Sequence, residues 1–143
     1  MTSTLAGAPK METTLTQCLL PETDIRFLAD KGYKYSEEDI NGWVHVILHD
    51  FPLPTAYIPQ TCRLLIRIPP GYPNANPDMF WTQPDIKLGR TGAWPQSADY
   101  HEDYNGQSWQ RWSRHIPSNR WRPGTDTLQT FLRTIRQELQ RGV

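Results

Sequence analysis

The residues that could do chemistry crowd into one stretch, from Tyr100 to His115. Ser113 offers a hydroxyl nucleophile, and His115 stands two residues on. In an extended segment, side chains two apart project to the same side, so the pair could meet. His115 would then act as general base or polarise an incoming acyl group. Upstream, within Tyr100-His101-Glu102-Asp103-Tyr104-Asn105-Gly106, the residues His101, Glu102 and Asp103 form a polar cluster that could line the same groove. Within it, Asp103 is best suited to orient a histidine or to lower an attacking amine's pKa. Arg114 could hold a carboxylate or a backbone carbonyl. Trp109, Trp112 and Trp121 bracket Ser113 and could wall a narrow groove for an extended peptide tail. Each residue also has a plainer reading. His115 would be a surface histidine, Arg114 and the acidic residues solvated loop charges, and the tryptophans packing anchors, with Trp121 in the core.

Other chemistries have thinner support. His45 and His49 share one face of a strand, but a third metal ligand is missing. Only Cys18 and Cys62 are present, with no Cys-x-x-Cys or Cys/His spacing, so neither a zinc site nor a disulfide scaffold is read. There is no phosphate-binding glycine loop, and no cofactor is expected. Arg111, Arg114, Arg120 and Arg122 interleave with tryptophans in a way that imitates a nucleic-acid patch. Zero formal net charge argues against that reading. The charge is uneven, however. Residues 107–143 carry seven Lys/Arg against two Asp/Glu, which suits either an acidic partner surface or a solvated helix face. No apolar run is long enough to span a membrane and no secretory h-region is present, so a cytoplasmic protein is expected.

The elements that must position these residues follow from pattern. At 143 residues the chain suits one domain. Residues 1–18 lack periodicity and are expected to be a flexible tail, with the domain over 19–143. A short helix capped by Thr23 carries Ile25, Phe27 and Leu28 and ends near Gly32. Strands follow at 33–38, 43–49, 62–68 and 79–82, with Asn41-Gly42 as a hairpin turn and three prolines in the connection 51–59. Pro69-Pro70-Gly71 stops the third strand, since proline cannot donate to a ladder. From 84 to 120 regular pattern dissolves, and so long a loop is either functional or wrongly assigned. Beyond it, Leu128, Phe131, Leu132, Ile135 and Leu139 make one apolar helical stripe. The expected fold class is α+β: an N-terminal helix, a four-stranded antiparallel meander, a long irregular segment holding the site, and a C-terminal helix.

Three features in this order carry a resemblance. A strand runs into Pro69-Pro70-Gly71-Tyr72-Pro73 and then, after Pro77-Asp78, into Met79-Phe80-Trp81. A long irregular segment follows, and Trp121-Arg122-Pro123 leads into the last helix. Over about residues 20–141 the chain resembles the ubiquitin-conjugating (UBC) superfamily, and the wording around Trp112-Ser113-Arg114-His115 is similar to its bacterial branch, prokaryotic family E. The resemblance implies a carrier in a bacterial ubiquitin-like conjugation pathway, accepting a ubiquitin-like C-terminus from an ATP-using, ThiF-like activating enzyme. No nucleic-acid or membrane partner is implied. The family's cysteine commonly lies eight residues before the tryptophan, which is Ser113 here. The His-Pro-Asn signature is absent, leaving Asn105 as the candidate oxyanion-side asparagine, with His101, Trp109, Trp112 and Arg114 lining the tail's groove. A thiol is both nucleophile and leaving group near neutrality, and a serine hydroxyl is neither without a base. Ser113 therefore admits three readings: a replaced cysteine, a natural serine in a non-catalytic adaptor that binds a ubiquitin-like protein or activating enzyme, or a true serine nucleophile.

Overall fold

Asn41-Gly42 adopts the left-handed backbone that a two-residue hairpin turn requires, with φ of 55° and 88°. In the computed structural model, which describes residues 19–143, this turn joins β1 (Lys34–Ile40) to β2 (Trp43–Pro52) in register from Ile40↔Trp43 to Lys34↔His49. The expected tail, residues 1–18, lies outside the described residues. β4 (Thr61–Ile68) pairs with β2, and β5 (Phe80–Gln83) pairs with β4. β3 (Tyr57–Ile58), ahead of β4, and β6 (Lys87–Leu88), after β5, form a separate two-stranded ladder.

The sheet is larger than the expected four strands. The stretch read as irregular contains a second hairpin, β7 (Tyr100–Tyr104) and β8 (Gln107–Trp112), turned by Asn105-Gly106 with φ of 53° and 78°. β8 pairs with β5, so the order is β1-β2-β4-β5-β8-β7, antiparallel throughout. The fold is α+β, as expected.

Alternation gives the sheet two faces. Val46, Leu48, Leu64, Ile66, Ile68, Phe80 and Trp112 project to one side and form the main core. Two helices cover that side: α1 (Glu22–Asp30) and α2 (Leu128–Arg141). The whole predicted stripe of α2 is buried. α1 begins after Pro21 rather than after a Thr23 cap, and no side chain caps it. Its buried Asp24 acts on other elements instead. One oxygen accepts from the Leu128 amide at the start of α2 (3.2 Å) and the other from the Tyr72 hydroxyl (2.5 Å). Nearby, Trp121 Nε1 donates to the Pro73 carbonyl at 2.7 Å. The Tyr-Pro and Trp-x-Pro segments, 48 residues apart, thus lie in contact.

The other face holds a smaller cluster of Leu65, Trp81 and Trp109, with Ile47, Met79 and Tyr104 packed on it. The sheet curls around this cluster. Asn105, at the tip of the last hairpin, donates to Glu38 on the first strand at 3.2 Å. No helix among the described residues is long and apolar enough to cross a membrane.

Candidate functional site at the end of β8

Trp112 is the last residue of β8 and has no exposed surface. Its ring stacks on Phe80 (5.3 Å between centroids) and meets Tyr57 edge-on, and Nε1 donates to Thr82 Oγ1 at 2.8 Å. The core position of Trp112 fixes its neighbours, because alternation sends Arg111 and Ser113 to the opposite face. There the Ser113 hydroxyl accepts a hydrogen bond from Arg111 Nε at 3.1 Å, while its amide donates to the Ser97 carbonyl at 3.0 Å. Arg111 in turn pairs with Glu102 (Nη1 to Oε2, 3.2 Å) and lies over the Tyr100 ring at 4.3 Å.

Ser113 and His115 do not meet. Extension ends at Ser113, where the Arg114 amide donates to the Trp112 carbonyl at 2.8 Å and turns the chain. His115 comes to lie on the helix side. Its Nδ1 is 2.8 Å from Asp78 Oδ2, and the other Asp78 oxygen accepts from the Ile116 amide at 3.1 Å. The imidazole is 64 % exposed and borders a groove of about 640 Å³ along α2, with Arg120, Trp121, Thr130, Thr134 and Glu138. No hydrogen bond joins it to the Ser113 hydroxyl. The carboxylate on the histidine is thus Asp78, which stands just before β5 and is brought there by the β5–β8 pairing. Asp103 sits opposite Ser108 near the far end of the hairpin. At about 3.3 Å per residue of strand, that is roughly 16 Å from Ser113.

The remaining candidates are also placed apart. Arg114 is spent internally. Its guanidinium pairs with Glu138 of α2 (3.0 Å) and donates to the Gln96 carbonyl (2.6 Å). Asn105 occupies the hairpin tip, on Glu38. His101 Nε2 contacts Asp85 at 2.7 Å, and the ring meets Trp94 edge-on. Trp109 is buried in the smaller cluster, under the Arg63 guanidinium. Both Trp109 and Trp112 are therefore packing anchors rather than groove walls.

Arg111, which the sequence did not single out for this site, contacts Ser113, and Glu102, expected only as one member of a polar cluster, reaches it through Arg111. The signal was there: Arg111 precedes Ser113 by two, and a strand puts both on one face. Glu102 Oε1 also accepts from Trp81 Nε1 (2.8 Å) and from the Tyr104 hydroxyl (3.3 Å). That hydroxyl accepts from Arg67 Nη1 at 3.1 Å, and Arg67 Nε donates to His45 Nε2 at 3.2 Å. Burial, reinforced by the Arg67 charge, lowers the pKa of His45. Burial raises Tyr104, against the opposing influence of Arg67. Cys62, the one cysteine among the described residues, is buried, which pushes its thiol up to about 12. Among the described residues no cluster of three His, Cys, Asp or Glu is arranged to hold a metal ion.

The sequence profile of prokaryotic E2 family E matches residues 20–142. The chain belongs to this family. The match spans both helices and all eight strands, and the antiparallel sheet with its two helices is compatible with an E2-like fold. No curated protein and no solved structure matches the chain. Membership in the E2 family gives the protein a ubiquitin-conjugating-like role, with a ubiquitin-like protein and an activating enzyme as its general partners.

Proposed function

We propose that this E2-like domain works at the carrier step of a bacterial ubiquitin-like conjugation pathway as a docking member. It engages the ubiquitin-like protein or its ATP-using activating enzyme, holds the C-terminal tail at position 113, and relays no thioester. The observation that carries this reading is the state of Ser113. Its hydroxyl takes a hydrogen bond from Arg111 and touches no base, since His115 is turned to Asp78. A serine without a base is a poor nucleophile, and the ester it would form is a poor donor to an amine. Cys62, buried and with its thiol pushed far above neutrality, offers no substitute.

A second reading, an ester-forming carrier at Ser113, draws support from the same Arg111 contact, because a cationic donor stabilises developing negative charge on the acceptor atom. Intact-mass spectrometry separates the two. The protein and its Ser113→Cys variant are incubated with ATP, the activating enzyme and the ubiquitin-like protein, and binding is followed in parallel by titration calorimetry. The docking reading expects the serine protein to bind and gain no mass, and the cysteine variant to gain one ubiquitin-like mass that reductant removes. A reductant-resistant adduct on Ser113 would replace docking by the ester carrier. Neither binding nor mass gain in either protein would end both readings.

A further inference from the structure

Arg111 offers five N–H donors in a rigid fork. Its Nε donates to Ser113, its Nη1 donates to Glu102, and the plane rests on Tyr100. Glu102 is not Arg111's alone. Through Oε1 it also takes the Trp81 indole and the Tyr104 hydroxyl, and Tyr104 is held by Arg67. The other partners of Arg67 are uncharged: the imidazole of His45, whose pKa is lowered, and the faces of Trp43, Tyr104 and Trp81 at 4.5, 4.4 and 5.7 Å. From β2 to position 113 there is thus one continuous chain of contacts with two guanidiniums and a single carboxylate. Glu37 and Glu38 of β1 lie beside its His45 end, so the excess of guanidinium over carboxylate bears on the Arg111 end, where Arg111 and Glu102 are only partly exposed to water and charges interact more strongly than in bulk solvent.

We propose that Arg111, braced by Glu102 and Tyr100, is the group that stabilises negative charge at position 113. That charge can sit on a side chain there or on the carboxylate or acyl oxygen of a tail held against it. Glu102 is a positioning residue, acting only through Arg111. The inference rests on reading position 113 as the tail's station and gives Arg111 the donor role expected of Asn105, which is occupied at the far end of the hairpin.

The test needs no partner protein. Ser113→Cys is made in a Cys18→Ser background, so that the thiol at 113 is the accessible one, and its iodoacetamide alkylation rate is followed against pH. The midpoint is expected below the ordinary thiol value of about 8.5. Arg111→Gln should raise it by about one pH unit or more, and Arg111→Lys should recover part of the difference. For Glu102, the readout is the Arg111 Nε–H proton resonance, expected to be protected from exchange at neutral pH and lost in Glu102→Gln. An unchanged midpoint in a folded Arg111→Gln variant overturns the proposal. If that variant fails to fold, the parent decides alone, and a midpoint at or above the ordinary value overturns it. A persistent Nε–H resonance in Glu102→Gln removes Glu102 from the device. Because neither activating enzyme nor ubiquitin-like protein is present, a failure here leaves the docking role standing, and a failure to dock leaves this result standing.

Discussion

Replacing Asp24 by alanine should loosen the joint between the two helices and the Tyr72 turn. The side chain is 1 % exposed and serves two donors from distant elements, the Leu128 amide and the Tyr72 hydroxyl. Alanine strands both, at about 1–3 kcal/mol for a buried donor left without a partner. The loss of the cap on α2 belongs to the same amide and is not added again. Against this stands relief of a desolvated carboxylate, since burial raises the pKa of Asp24 despite the two hydrogen bonds that lower it. The net expectation is a loss of about 2–3 kcal/mol by urea unfolding, or roughly 5–10 °C in Tm for a domain of this size. Asp24→Asn keeps an oxygen for Leu128 and should lose only about 1 kcal/mol. The pH dependence has a definite sign. A folded pKa above the unfolded value means that the contribution of Asp24 is fully present below its unfolded pKa and fades as pH rises through the folded one. Asp24→Asn should therefore show no such fade. An alanine variant within about 0.5 kcal/mol of the parent, the range of neutral surface changes, would refute this account of the joint.

Two further outcomes are expected. His45 has its pKa lowered by burial and by Arg67, so its contribution is present above its unfolded value of 6.5 and is lost as pH falls through the folded one; urea titrations between pH 7.5 and 5 should show this loss in the parent and not in His45→Gln. Cys62 should resist iodoacetamide at pH 8 in the folded Cys18→Ser protein and react once urea unfolds it, and mass gain in the folded state would contradict its burial and raised pKa.

Much of the scaffold was legible in the sequence because single-face patterns are strong there. The stripe of α2, the strand at 62–68 and the Asn41-Gly42 turn all reappear with bounds shifted by a residue or two. The second hairpin was missed although Asn105-Gly106 repeats the very dipeptide that marked the first. Its strands carry His101, Glu102, Asp103 and Arg111 where apolar residues would have shown alternation, since one face is occupied by a polar network and the other is incompletely covered. That omission spread to the site. Without β8, nothing placed Arg111 beside Ser113 or Asp78 beside His115. The Ser113–His115 pairing assumed extension through Arg114, and a turn driven by the Arg114–Glu138 clamp and the Trp112 carbonyl ends it one residue too soon.

The contact between Asn105 and Glu38 also sets an order of assembly. The β7–β8 hairpin has a two-residue turn and needs no other element to close, whereas docking it requires β1, β2, β4 and β5 to be side by side already. Local contacts form sooner than those that must first close a long loop. The sheet would therefore zip from its first hairpin, and the last hairpin would fold down as a finished flap. Position 113 lies at the root of that hairpin, directly after Trp112, whose burial against Phe80 and Tyr57 then ties the last strand to the core.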